Sequence, residues 1–203
     1  MKNLCTRLAV VSALAFSAAA SAAPTAYTHV GTQNAATYTF TATSTGTVAA
    51  YFAGSTAAYT NELSMWVNGV ATNINGLNTK DSAYGAMLDF GNVTAGDKLV
   101  FQLINLKPGT VPSWYSDATK NPDGIQHIYS AAYSGDNLIP AGTFVAFEDL
   151  PNGGDFNYND ETFVFTNVGV KADVPEPASL ALLLIGALGF GARRTFGRAK
   201  RAA

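Results

Sequence analysis

The densest chemistry in this chain lies in one run of residues, Phe147-Glu148-Asp149-Leu150-Pro151-Asn152-Gly153-Gly154-Asp155-Phe156-Asn157-Tyr158-Asn159-Asp160-Glu161. Carboxylates, carboxamides and backbone carbonyls are the hard oxygen donors of which calcium takes about six to eight. Glu148, Asp149, Asp155, Asn157, Asn159 and Asp160 are therefore the candidate ligands. Asp155, Asn157 and Asn159 occupy alternate positions, so in extended chain they would project to one side, with Phe156 and Tyr158 projecting to the other side and into the core. Gly153-Gly154 supplies a turn that could bring Glu148 and Asp149 back to the same ion. The pattern is not an EF-hand. Counted from Asp155, the sixth position is Asp160 instead of Gly and the twelfth is Thr166 instead of Glu. The same residues would also make a metal-free hairpin loop of Asx turns, and spacing alone leaves both readings open.

Other chemistries find less support. Glu148 with Asp155 or Asp160 could imitate the carboxylate pair of a polysaccharide hydrolase, but no cleft of aromatic platforms is recognisable around them. Serine, histidine and aspartate occur without a G-x-S-x-G elbow. His127 shares a strand face with Ile125 and Tyr129 and reads as a satisfied, partly buried histidine. The single cysteine is Cys5, and His29 and His127 stand far apart, so disulfides and cysteine-type zinc sites are excluded from the main body of the chain. The chain is expected to be non-catalytic. An alternative is a calcium-dependent carbohydrate-binding module with Trp114 and Tyr115 as a stacking platform.

The elements that must position this segment read as strands. Residues 36–43 alternate cleanly, placing Tyr38 and Phe40 on one face. Residues 47–53 form a second strand. Leu63, Met65 and Val67 mark a third, closed by the turn signal Asn68-Gly69. Further strands are expected at 84–90, 98–106, 126–133, 142–148 and 161–168. Pro108, Gly109, Pro112, Pro122 and Gly124 mark a long surface loop over 107–124. About eight short strands with turn-rich connections predict an all-β fold, a single antiparallel β-sandwich of jelly-roll-like type over residues 24–170.

The ends of the chain are built differently. Lys2 and Arg7 precede an uncharged run ending in Ala20-Ser21-Ala22-Ala23, the three parts of a secretory signal peptide over residues 1–23, to be removed by signal peptidase. At the other end, residues 171–177 read as a linker ending in Pro175-Glu176-Pro177. The uncharged stretch 178–192 then leads to Arg193, Arg194, Arg198, Lys200 and Arg201. As a helix that stretch is roughly 22 Å long, short of the ~30 Å hydrocarbon core, which suits a transient membrane anchor. The basic tail would stay cytoplasmic, leaving residues 24–174 outside. Over residues 24–176 fourteen acidic residues face only five lysines and no arginine, a net charge of −9. Such a surface excludes nucleic acid and anionic lipid as partners and attracts divalent cations.

Two resemblances follow from these residues. Pro175-Glu176-Pro177 with Ala178-Ser179-Leu180-Ala181-Leu182-Leu183 and the arginine cluster, the last two parts forming a sorting helix and basic tail over residues 178–203, resembles the PEP-CTERM sorting signal of Gram-negative bacteria. That implies export across the inner membrane and recognition by an exosortase. It also implies a place at the cell surface or in the extracellular matrix, near exopolysaccharide. Phe147-Glu148-Asp149-Leu150, then Gly153 through Asp160 and Phe163-Val164-Phe165, resembles the C-terminal signature of a domain of unknown function found in exported bacterial proteins. Asp123-Gly124 and His127 match an upstream D-G-x-x-H element of the same domain. Asn157 stands where that pattern more often has Asp, and Glu161 where an apolar residue is usual. The resemblance carries no established activity, although its acidic motif suggests calcium.

Overall fold

The computed structural model describes residues 26–107, 109 and 113–173. The expected signal peptide, the Pro175-Glu176-Pro177 motif, the apolar stretch 178–192 with its membrane and exosortase contacts, and the basic tail with Arg193 and Arg194 lie outside these residues.

The chain forms eleven strands among the described residues: β1 (Thr37–Ala42), β2 (Gly46–Ser55), β3 (Asn61–Val67), β4 (Val70–Gly76), β5 (Met87–Val93), β6 (Lys98–Asn105), β7 (Trp114–Tyr115), β8 (Ile128–Tyr133), β9 (Gly142–Phe147), β10 (Glu161–Thr166) and β11 (Val168–Asp173). They make two antiparallel sheets. The first runs β11-β1-β6-β3-β4 with β7 on β6, and the second runs β5-β2-β10-β9-β8. The all-β, two-sheet expectation holds.

Period-two alternation decides what meets between the sheets. Leu99, Phe101 and Leu103 from β6 and Leu63 and Met65 from β3 face Phe163 and Phe165 from β10 and Val145 and Phe147 from β9. Phe101 and Phe165 stack across the gap with centroids 3.8 Å apart. The outer face of the second sheet is covered as well. Phe144, Ala146 and Val164 point outward into a second apolar cluster with Tyr133, Ile139 and Tyr158, joined by Tyr27, Tyr129 and Phe156. A sheet buried on both faces reads as an unbroken apolar run, and Phe144-Val145-Ala146-Phe147 is such a run.

Three expectations change. The Asn68-Gly69 turn, with φ of 50° and 83°, leads back into β4, a strand not anticipated because Val70-Ala71-Thr72-Asn73-Ile74-Asn75-Gly76 has few apolar positions and is only partly buried. The 107–124 loop carries the short strand β7, which buries Trp114. Residues 171–173, read as linker, belong to the edge strand β11, paired with β1 from Ala42↔Val168 to Thr37↔Asp173. Their exposed side chains gave no core pattern, and backbone pairing alone holds them in the sheet.

Candidate functional site

β9 and β10 pair with Phe147 opposite Glu161, so residues 148–160 are the loop of a hairpin whose two feet are acidic. β10 sends Glu161, Phe163 and Phe165 inward by the same alternation, so Glu161 enters the space between the sheets and is fully buried. β3 does the same with Asn61, two residues before Leu63. The two side chains meet across the sandwich: Asn61 Nδ2 donates to Glu161 Oε1 at 2.7 Å and to Asp149 Oδ2 at 3.0 Å. Asp160 accepts the Asp149 backbone N–H at 2.9 Å. Glu161 Oε2 is buried and has no hydrogen-bond partner.

A brace of aromatic and charged groups backs the loop. Trp114 Nε1 donates to the Asp149 carbonyl at 2.7 Å, and the indole stacks on the fully buried His127 ring at 3.7 Å and 9°. His127 Nδ1 lies 2.9 Å from the Glu148 carbonyl and Nε2 lies 3.0 Å from Asp123 Oδ2. Both ring nitrogens thus lie within hydrogen-bond distance of an acceptor oxygen. Asp123 also accepts the Asn152 N–H at 2.8 Å, which fixes the Pro151–Gly153 turn. Burial works against the charged form of Asp123, but the N–H groups of Ile125 and Asn152 and the His127 ring outweigh it and lower its pKa. The histidine is thus satisfied, as the sequence implied, and more deeply buried than expected.

Glu148 is held by the loop's own backbone. The chain from Gly153 to Tyr158 is not extended: Phe156 and Tyr158 have φ of 51° and 52°, and Gly153 and Gly154 are also positive. Alternation of positive and negative φ turns successive N–H groups toward one side, a concavity suited to an anion. Tyr158 N–H donates to Glu148 Oε1 at 2.5 Å. A Cβ on Gly154 would lie 2.8 Å from Glu148 Oε2, so the close approach requires glycine. Positive φ is uncommon for aromatic residues. Burial of Tyr158 offsets that strain, with its hydroxyl donating to the Gln126 carbonyl at 3.0 Å and accepting from Asn34 N–H at 2.9 Å. Phe156 and Tyr158 do pack toward the apolar side as anticipated, but through left-handed turns and not through strand alternation.

Charge follows burial. Desolvation pushes the Glu148 and Glu161 carboxyls up to about 8 and the Asp149 carboxyl up to about 6. Neighbouring acids add to each shift. The Lys80 ammonium, which donates to the Ala57 carbonyl at 2.6 Å, pulls Asp149 and Glu161 the other way. Asp155, Asn157 and Asn159 form a contrasting outer group. Asn157 Nδ2 donates to Asp155 Oδ2 at 2.7 Å, Asn159 N–H to Asn157 Oδ1 at 3.0 Å, and Thr56 Oγ1 to Asn159 Oδ1 at 2.6 Å. The second of these closes an Asx turn, as does Asn157 N–H on Asp155 Oδ1 at 3.3 Å. Among the described residues, no three Asp, Glu, His or Cys side chains already sit together as a preformed metal site.

The six expected ligands thus divide into an inner three, Glu148, Asp149 and Asp160, and an outer three. Glu161 and Asn61 join the inner group and were not anticipated. Their signal was present, since each stands two residues before a core position of its own strand. Trp114 cannot serve as a stacking platform because it is 2% exposed. Tyr115 lies instead beside Trp66 on the outer face of the first sheet, rings 6.3 Å apart.

A family model, "Domain of unknown function (DUF4114)", matches residues 62–167, just over half of the chain. The chain belongs to the DUF4114 family. The DUF4114 match runs from β3 through the acidic hairpin to the end of β10 and so includes the whole loop and its brace. A second family model, the PEP-CTERM protein-sorting motif, matches residues 173–194 and begins at the last residue of β11. The chain is therefore an exported, exosortase-processed protein of Gram-negative bacteria with a DUF4114 domain ahead of its sorting signal. Comparison with curated proteins and with solved structures finds no match.

Proposed function

We propose that this is a non-catalytic envelope or matrix protein, sorted near exopolysaccharide, whose DUF4114 domain is stabilised by calcium at the acidic hairpin. The observation that carries the reading is the concentration of buried carboxylates Glu148, Asp149 and Glu161 in a domain with eight more acids than bases. Buried carboxylates are ordinarily paired with a cation or protonated. Here amides and backbone N–H groups are their hydrogen-bond partners. Glu148 is enclosed by its own loop, which argues against a hydrolytic role, since a general acid must reach its substrate.

The test is thermal unfolding of the exported protein in chelator and across a calcium titration, with magnesium as control. A midpoint that rises with calcium shows that the native state binds the ion. A midpoint that does not move removes calcium from the account.

The carbohydrate-binding alternative moves to another place. Trp66 and Tyr115 stand together on the outer face of the first sheet, each tied to Gln102: Trp66 Nε1 donates to Oε1 at 2.7 Å and Nε2 donates to the Tyr115 hydroxyl at 3.1 Å. Aromatic faces beside carboxamides suit sugar rings and their hydroxyls. A glycan array with wild type and Trp66→Ala tests this reading. Binding that survives the substitution, or no binding at all, removes it.

A further inference from the structure

Resting on the calcium reading, the structure points to a more specific site: we propose that a divalent cation binds between the two sheets, held by Glu161, Asp149 and Asp160 with Asn61, and not by Asp155, Asn157 and Asn159. The decisive feature is Glu161 Oε2, a carboxylate oxygen in a fully buried residue with no hydrogen-bond partner. An orphan of this kind in a well-packed core calls for an occupant such as an ion. Its neighbours supply suitable chemistry. Asp149 Oδ2 and Glu161 Oε1 converge on one amide nitrogen of Asn61, and Asp160 reaches the Asp149 backbone from the far foot of the hairpin. All the donors are carboxylate or carboxamide oxygens, the preference of calcium over softer metals. Rotation of the Asn61 amide exchanges its donor for a carbonyl acceptor.

The position gives the site a role. Asn61 belongs to the first sheet and Glu161 to the second, so the ion ties the sheets together at the end of the sandwich where the hairpin folds back. The outer three residues already satisfy one another in Asx turns, and nothing buried and unpartnered points into them.

The experiment measures thermal midpoints of the exported protein in chelator and in calcium for wild type, Glu161→Gln and the double substitution Asp155→Ala/Asn157→Ala. Glutamine keeps the size of the side chain and an oxygen to accept from Asn61 Nδ2, so Glu161→Gln should unfold cooperatively in chelator, which checks that the variant folds. The expected result is a calcium-dependent rise in wild type and in the outer double variant, lost in Glu161→Gln. A rise that persists in Glu161→Gln and disappears in the outer variant overturns the inter-sheet site while leaving the calcium reading intact. No rise in wild type removes both.

Discussion

The inner and outer halves of the Glu148–Glu161 segment are built from the same residue types, yet their surroundings are opposite. Glu148, Asp149 and Glu161 are at most 2% exposed, while Asp155 and Asn159 face solvent. The inner carboxyls are placed by strand ends, by the Trp114–His127 brace and by a backbone turned through positive φ. The outer ones are placed by each other. A carboxylate in water is worth little to the fold, whereas a buried one is expensive unless it is neutralised or paired. The difference teaches that the motif is two devices in one stretch of chain, an interior charge site and a solvated turn that closes it.

The brace offers the strongest way to break the comparison. Trp114→Ala removes a buried indole, its stack on His127 and the hydrogen bond to the Asp149 carbonyl. Loss of a buried aromatic costs about 3–5 kcal/mol, which denaturant unfolding measures directly. The inner acids should then lose their seclusion, and any calcium response should fall along with stability. A variant near wild-type stability would mean that the brace does not organise the inner half.

Tyr158→Phe is the next largest. It keeps the ring against Tyr27 and removes the hydroxyl that Asn34 N–H and the Gln126 carbonyl share. Leaving buried backbone groups unsatisfied costs about 1–3 kcal/mol, read as a lower midpoint in urea with an unchanged slope.

Proton linkage separates the halves without mutation. Glu148 and Glu161 are raised from 4.5 to about 8, and Asp149 from 3.8 to about 6, first by desolvation. A carboxyl raised in the folded state keeps its proton where the unfolded chain has lost it, so its contribution is full below about pH 4 and is lost as pH rises toward 8. In chelator the thermal midpoint should therefore fall by several degrees between pH 5 and 8, against the usual trend for salt-bridged acids. Asp136, held below the ordinary range by the Tyr84 hydroxyl and by backbone N–H groups, acts the other way at the acid end. Saturating calcium should flatten the decline. A midpoint that climbs from pH 5 to 8 in chelator would show that the inner carboxyls are not secluded.

Much of this was legible from the residues. The two-sheet class followed from alternation in β1 and β3 and from the number of short strands, and the hairpin was placed by its glycines and acids. Glu161 stood at the start of an expected strand, two residues before Phe163, yet it was not counted among the candidate ligands. Asn61 could not be tied to it, because their contact crosses between sheets and no local pattern records which strands oppose. β11 was hidden for another reason. An exposed edge strand is specified by backbone pairing, which leaves no apolar signature. The backbone at Phe156 and Tyr158 was misread because period-two spacing of polar side chains arises in an extended strand and also in alternating turns.

The smallest effect is the sharpest control. Asp155→Ala and Asn157→Ala break a side-chain contact of 2.7 Å that water can replace at an exposed position. Surface changes of this kind usually fall within about 0.5 kcal/mol. Loss of an Asx-turn acceptor could add a few tenths, since Asp155 Oδ1 also receives the Asn157 N–H at 3.3 Å. The double variant should therefore unfold within a few degrees of wild type and keep the same pH profile. If it instead unfolds as early as Trp114→Ala, the outer turns set the backbone that encloses Glu148, and the two halves are a single cooperative unit.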